Sequence, residues 1–239
     1  MYKVGAVQLE DIQGDMAASL RIVKLHLMQA DNKGVDILCF PECFLQGYTL
    51  DVQKTKDRAL DLASPEFEAV LNELASYKTM IILGLIEKDG ASFYNTAAVI
   101  REGKLLGAYR KVHLFEENFQ PGKETPVFSL DDFTFGVNIC YDARFSDGAM
   151  TLAGKGAKII FYPLNNRLPS AKAAMYRNEH ITNLIDRAKE SGCWIVAADV
   201  VAEDEETTGY GCTAIVDPEG NVATRVTERE VGMAVFEIA

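Results

Sequence analysis

The sequence predicts an α/β protein of four layers, α-β-β-α, with two mixed sheets packed face to face and helices on the outside. Three observations predict it. Apolar strand-like runs alternate with helical ones from the first residues onward. The order β-α-β-α-β-β, read in the first half, recurs in the second, although no residue-level repeat accompanies it. Two sheets that each carry helices on one face can bury their other faces only against each other.

Each element has its own justification. An apolar strand over 4–9 leads to a period-3.6 segment over 16–32, which Gly34 stops, and a second strand covers 35–40. Ser64-Pro65-Glu66 supplies an N-cap, a first-turn proline and an early acid for a helix that turns Phe67, Val70, Leu71 and Leu74 inward. A strand over 79–86 follows, then a hairpin of 93–101 and 104–111 joined at Glu102-Gly103. The second half gives a strand over 133–139, a short helix over 147–154, a strand over 158–162 and a long helix over 171–190. Strands over 194–201 and 211–216 lead through the turn Asp217-Pro218-Glu219-Gly220 to 222–226, and 232–238 forms the last strand. With no linker-like or low-complexity stretch, one domain over 1–239 is the simplest organisation.

Composition narrows the function classes. The 239 residues carry 24 Lys and Arg against 35 Asp and Glu, a net charge of −11. Such a chain repels phosphate backbones, and no basic run offsets this, so neither nucleic acid nor an anionic membrane is an expected partner. The first residues read as a strand, without a charged leader and apolar signal core, and no apolar run approaches the roughly 18 residues of a membrane span. A cytoplasmic protein is expected. Five cysteines in a chain of this length suit reduced thiols better than a disulfide framework, and a nucleophilic thiol becomes worth seeking. The acidic stretch Glu203-Asp204-Glu205-Glu206 reads as a solvated loop.

Cys140 stands where the apolar run Val137-Asn138-Ile139 ends and a turn into a helix begins, the position at which α/β folds present reactive groups. Cys39 and Cys193 lie inside or beside apolar strands and read as small core residues. Glu42 follows Phe40-Pro41 just past another strand end, at the same rim, where its apolar approach predicts partial burial and a raised pKa. Lys111 ends the strand containing Tyr109-Arg110; taken alone, a solvated strand terminus accounts for it. Each signal is weak by itself, and the fold must gather the three.

Phe40-Pro41-Glu42-Cys43-Phe44, Tyr109-Arg110-Lys111-Val112-His113-Leu114-Phe115 and Asn138-Ile139-Cys140-Tyr141-Asp142-Ala143-Arg144-Phe145 resemble the three motif blocks of the nitrilase superfamily, the carbon–nitrogen hydrolases. Gly47-Tyr48, Phe119-Gln120-Pro121-Gly122 and the order of elements match as well, and the likeness covers nearly the whole chain. The resemblance implies the α-β-β-α fold, a homodimer or larger homo-oligomer, Cys140 as nucleophile, Glu42 as general base and Lys111 as stabiliser of the tetrahedral intermediate, assisted by the Tyr141 backbone N–H. It also implies a second glutamate in the loop after the lysine. Glu116 and Glu117 are both candidates, with the preference on Glu117. Tyr48 and Tyr141 are expected near the substrate. Asn165 and Asn166 fall where the family's substrate-facing loop lies, and their amides suggest a polar substrate group. Asp142 and Arg144 are expected to brace the nucleophile turn.

The expected activity is cofactor-free and metal-free thiol hydrolysis of a small nonpeptide amide, ahead of N-carbamoyl hydrolysis and then nitrile hydrolysis. Substrate choice should depend on the loops at 116–119, 165–169 and 203–210. Three rivals compete with this reading. A Cys-His hydrolase would need His26, His113 or His180 as base, and only His113, two residues from Lys111, is near the motifs. Cys39-x-x-x-Cys43 has zinc-like spacing but no second pair or neighbouring histidine. A noncatalytic binding protein on a hydrolase fold is the rival from another class. No P-loop or dinucleotide glycine pattern is present, so no nucleotide cofactor is expected.

Overall fold

Side-chain parity along the strands sorts the interior into layers. In the computed structural model, which describes residues 1–238, the first half contains β1 (Tyr2–Glu10), α1 (Met16–Lys33), β2 (Ile37–Cys39), α2 (Val52–Arg58), α3 (Pro65–Leu74), β3 (Met80–Asp89), β4 (Ser92–Arg101) and β5 (Lys104–Arg110). Val4 and Ala6 of β1, Ile37 and Cys39 of β2, and Met80 and Ile82 of β3 point into one core. Their sequence neighbours Val7, Leu9, Leu38, Phe40, Ile81 and Leu83 point the other way, where Leu20, Val23 and Leu27 of α1 and Phe67, Val70 and Leu74 of α3 cover them.

The second half comprises β6 (Val127–Leu130), β7 (Phe133–Val137), a 3-10 turn (Cys140–Arg144), α4 (Ser146–Gly154), β8 (Ile159–Pro163), β9 (Leu168–Pro169), α5 (Ser170–Ser191), β10 (Trp194–Glu203), β11 (Thr207–Tyr210), β12 (Ala214–Val216), β13 (Val222–Arg225) and β14 (Gly232–Ile238). Phe135, Val137, Ile159, Phe161, Val196 and Ala198 meet the first sheet's inner face. Ile160, Tyr162, Ile195 and Ala197 face outward onto Leu152 of α4 and Leu184 and Ala188 of α5. The result is the predicted four-layer α-β-β-α sandwich.

The two sheets share a strand. Residues 194–198 of β10 pair with β8, parallel, and residues 195–197 also pair with β12. From Asp199 onward the same strand pairs with β1, parallel, through Gln8↔Asp199, Leu9↔Val200 and Glu10↔Val201. β1 is held on its other edge by β2 and also pairs antiparallel with β14. Because β3–β4 and β4–β5 are both antiparallel, β5 runs with β3 and β2. The C-terminal ends of β2, β5, β7, β8 and the first part of β10 therefore share one rim.

Most expected elements are present with small changes of boundary. Helix α1 starts at Met16, capped by Asp15, whose carboxylate accepts from Ala18 N–H, and stops at Gly34 in the left-handed conformation. Four elements lie outside the expectation: α2, β6, β9 and β11. The expected strand over 211–216 begins only at Ala214, because Gly211 turns the chain (φ +80°) against the side chain of Gln8 and so separates β11 from β12. Among the described residues, no helix is long and apolar enough to cross a membrane.

Candidate active site

The shared rim gathers the three motif blocks around one buried cluster of charge. Lys111, the first residue after β5, places Nζ 2.7 Å from Glu42 Oε1 and 2.6 Å from Glu116 Oε1. The three residues are 1%, 1% and 4% exposed, so one ammonium holds two carboxylates away from water. Glu42 N–H donates to Leu164 O (3.0 Å), which ties the Pro41-Glu42 turn to the end of β8. Gly84 of β3 permits that turn to pass close: a Cβ there would lie 2.2 Å from Pro41 O and 2.9 Å from Glu42 Cα. Asn95 Nδ2 donates to Glu42 Oε1 (2.7 Å), and Cys43 Sγ donates to Asn95 Oδ1 (3.3 Å).

Burial raises the Glu42 pKa above the ordinary carboxylate value; Lys111 opposes that shift and Glu116 adds to it. Burial also disfavours the Lys111 ammonium, but the charges of Glu42 and Glu116, with the hydrogen bond to Glu116, outweigh burial and hold its pKa above the ordinary lysine value. Lys111 is thus a fixed cation and Glu42 a carboxylate ready to take a proton.

Of the two loop glutamates, the structure brings in Glu116 and leaves Glu117 exposed, correcting the sequence preference. Glu116 Oε1 also accepts from Tyr48 O–H (3.0 Å), and its Oε2 accepts from Phe115 N–H (3.0 Å). The loop bends at 112–113 and turns at 117–118, and Glu116, between the two, faces inward while Glu117 faces solvent.

Cys140 opens the 3-10 turn with φ +41°, a strained conformation for a residue with a Cβ. Asp142 braces it as expected: its buried carboxylate accepts from Ile139 N–H (2.8 Å), His113 N–H (2.8 Å), Tyr109 O–H (2.8 Å) and His113 Nδ1 (3.0 Å). His113 is therefore a support for the turn, stacked on Phe145 at 4.1 Å between ring centres. Arg144 does not brace the turn; its guanidinium is exposed, pairs with Glu179 at 2.7 Å and lies over the rings of Tyr141 and Tyr176. Burial pushes the Cys140 thiol well above the ordinary thiol range, and the Glu42 charge pushes it further against the pull of Lys111. A resting thiol, not a thiolate, occupies the site.

A cavity of about 380 Å³ opens onto Cys140, lined by Tyr141, Arg144, Asn165, Asn166, Lys172 and His180 among others. Glu42, Lys111 and Glu116 do not line it. Both expected amides are at the wall, but each already has protein partners. Asn166 Nδ2 donates to Asp199 Oδ2 (2.8 Å), while Asn165 Nδ2 reaches Asp11 Oδ1 (3.4 Å). The acidic loop at 203–206 is partly neutralised: Arg167 pairs with Asp204 and with Asp11 (2.8 Å), and Arg229 pairs with Glu203 (3.3 Å).

Asp199 leaves a signal in the sequence, a carboxylate within the apolar run 194–202 of β10, whereas Asn95 stands beside Thr96 in a strand that also carries Ser92 and Arg101 and leaves none. Cys39 and Cys43 fall in separate packing clusters, Cys39 between the sheets and Cys43 beside Ile86 and Phe119. Among the described residues no group of three or more His, Cys, Asp and Glu is placed to hold a metal ion.

Comparison with known proteins agrees with this geometry. The family model for carbon-nitrogen hydrolase matches residues 3–239. A protein of Pyrococcus abyssi named nitrilase is 33% identical over 100% of this chain and 90% of its own length. The omega-amidase NIT3 of Saccharomyces cerevisiae is 29% identical over 95% of this chain and 84% of its own. The crystal structure of Saccharomyces cerevisiae Nit3, described as a member of branch 10 of the nitrilase superfamily, superposes with a TM-score of 0.83 at 26% identity, covering 98% of this chain and 89% of that one. With its four-layer fold, its three motif blocks on one rim and a family match over nearly its full length, the chain belongs to the carbon–nitrogen hydrolases of the nitrilase superfamily.

Proposed function

We propose that the enzyme hydrolyses a small linear amide through a thioester on Cys140, with Glu42 as general base and acid and Lys111 as the oxyanion's cation. The observation that carries this reading is the buried Glu42–Lys111–Glu116 cluster beside a thiol that burial keeps protonated. A thiol held in that state needs a base at the moment of attack, and a carboxylate whose pKa burial has raised is suited to the task.

Cys140 Sγ attacks the carbonyl carbon as Glu42 takes the thiol proton. Negative charge gathers on the carbonyl oxygen, where Lys111 Nζ and the Tyr141 backbone N–H stabilise it, a contact class worth roughly 100- to 1000-fold in rate. The C–N bond then breaks as Glu42 returns the proton to the departing nitrogen, leaving ammonia and a thioester. Water attacks the thioester while Glu42 accepts one of its protons. The C–S bond breaks, the sulfur regains a proton from Glu42, and the carboxylic acid leaves. Glu116, held by Tyr48, keeps Lys111 on the rim throughout. Relatives named omega-amidase support amides ahead of nitriles as substrates. The acting unit in this reading is a homodimer or larger homo-oligomer, checked by its mass in solution at micromolar concentration.

The test is ammonia release from aliphatic amides, dicarboxylic acid monoamides, N-carbamoyl amino acids and nitriles, comparing the unmodified protein with Cys140→Ala. Release from amides that disappears in the variant is expected. Ammonia from nitriles alone, or activity that survives Cys140→Ala, overturns the reading.

A further inference from the structure

Asp199 is an unusual carboxylate for the centre of an apolar strand. It sits where β10 leaves one sheet for the other, fully buried, and no Lys, Arg or His is paired with it among the described residues. Its partners are neutral donors. Oδ1 accepts from Asn166 N–H (3.0 Å) and Val200 N–H (2.8 Å), and Oδ2 accepts from Asn166 Nδ2 (2.8 Å).

This arrangement fixes the orientation of the Asn166 amide. A carboxylate only accepts hydrogen bonds, so the nitrogen end of the amide must face Asp199 and the oxygen end must face away. Asn166 Oδ1 accordingly turns to Cys140, whose Sγ–H reaches it at 3.9 Å, the outer limit for a sulfur donor. Rotating the amide would set its oxygen against the carboxylate. The wall of the cavity therefore presents a rigid carbonyl acceptor, 8% exposed and met among the described residues only by a weak thiol donor, next to the nucleophile.

The acceptor stands on the open side of the site. Glu42, Lys111 and Glu116, which handle the oxyanion and the departing nitrogen, do not line the open cavity, whereas Asn166 does. The space beside Asn166 is left for the acyl portion of the substrate. We propose that Asp199 locks Asn166 as a hydrogen-bond acceptor for the acyl chain, so that the enzyme selects amides bearing a hydroxyl or amino donor on the carbon next to the scissile carbonyl. This rests on the amidase reading above. Asp199 is a positioning residue, and Asn166 is the group that touches substrate. A substrate without the donor strips the acceptor of water and returns nothing, which is why sites built for a hydrogen bond reject analogues that lack it.

The experiment compares lactamide with propionamide, which differ by the hydroxyl alone. The readout is the ratio of their kcat/KM values, expected to be about tenfold or more in the unmodified enzyme and to fall towards one in Asn166→Leu and in Asp199→Asn. Asp199→Asn keeps the shape of the side chain but frees the Asn166 amide to turn, and thermal unfolding verifies that both variants are folded. A ratio near one in the unmodified enzyme, or one that persists in folded Asn166→Leu, overturns the proposal. A second readout needs no turnover: lactamide should protect Cys140 from N-ethylmaleimide at lower concentration than propionamide, and the difference should vanish in both variants. Equal protection in the unmodified protein overturns the acceptor role. Unequal protection with no ammonia released overturns the amidase reading alone.

Discussion

The two halves of the molecule deliver their reactive groups to one rim by different physical means. Each ends a strand in a turn with a residue at positive φ, Cys43 at +48° beside Glu42 and Cys140 at +41°. In the first half the carboxylates of Glu42 and Glu116 are held by an ammonium. In the second half the buried carboxylates Asp142 and Asp199 are held by N–H and O–H donors, among them the Tyr109 hydroxyl and a ring nitrogen of His113. Opposite charge serves where, in the mechanism proposed, the charge itself takes part in the reaction. Several directed hydrogen bonds to one carboxylate serve where a backbone shape or a side-chain orientation must be kept.

That contrast predicts unequal consequences when each support is removed. The largest effect is expected from Lys111→Met, which strands Glu42 and Glu116 together without a cation in a buried site. Breaking a buried pair from one side costs about 3–5 kcal/mol, and the oxyanion loses its cation as well. Denaturant unfolding and ammonia release should both collapse, whereas Glu42→Gln, which leaves Lys111 on Glu116, should lose activity by roughly 100- to 10,000-fold with the smaller stability change. If Lys111→Met is as stable as Glu42→Gln, charge is not what holds the first rim together.

Asp142→Asn comes next. An amide can accept at its oxygen alone, so some of the four donors gathered on Asp142 lose their partner. A loss of about 1.5–3 kcal/mol is expected, with slower turnover at a Cys140 that still reacts with an alkylating agent. Full activity in that variant would show that the turn holds its positive φ unaided.

The smallest effect concerns His113. Its hydrogen bond to Asp142 raises its pKa above the ordinary 6.5, against the opposing pull of burial. The stabilisation is complete below 6.5 and is lost as pH rises through the higher folded-state value. A Tm profile across that window should decline more in the unmodified protein than in His113→Gln, and activity in the variant should weaken without vanishing. Complete loss of activity there, with Glu42→Gln still active, would transfer the role of base to the histidine.

Where sequence was legible, a local rule stood alone. Gly34 marks the end of α1, Ser64-Pro65 marks the start of α3, and Glu102-Gly103 marks the β4–β5 turn, each through chemistry confined to a few residues. Helix α2 escaped because Val-Gln-Lys-Thr-Lys-Asp-Arg is mostly solvated and buries only Thr55, leaving no apolar stripe to read. Strands β9 and β11 pair with each other beside Asn165 and Asn166, and neither is longer than four residues. At the site, the strand-end positions of Glu42, Lys111 and Cys140 were weak signals one by one, and it is the resemblance of the three motif blocks to the nitrilase superfamily that singles them out. The choice of Glu116 over Glu117 could not, since adjacent loop residues differ only in the direction a turn gives them. Asp199 was detectable as a polar interruption of an apolar strand, but its partner Asn166, like Glu42 for Asn95, is distant in sequence.

The placement of β1 has a consequence for biosynthesis. This strand is made before every other element of the fold, yet it pairs with β10 through residues 199–201 and with β14 through residues 232–238. Its edge towards β2 can be satisfied as soon as residues 37–39 follow, but its other edge waits for β10 and β14, and contacts of such separation form late. Asp199, on the very segment that joins β1, arrives late too. The thiol of Cys140 is translated long before the wall that orients its neighbour exists, so the emerging polypeptide carries a cysteine but not yet a site.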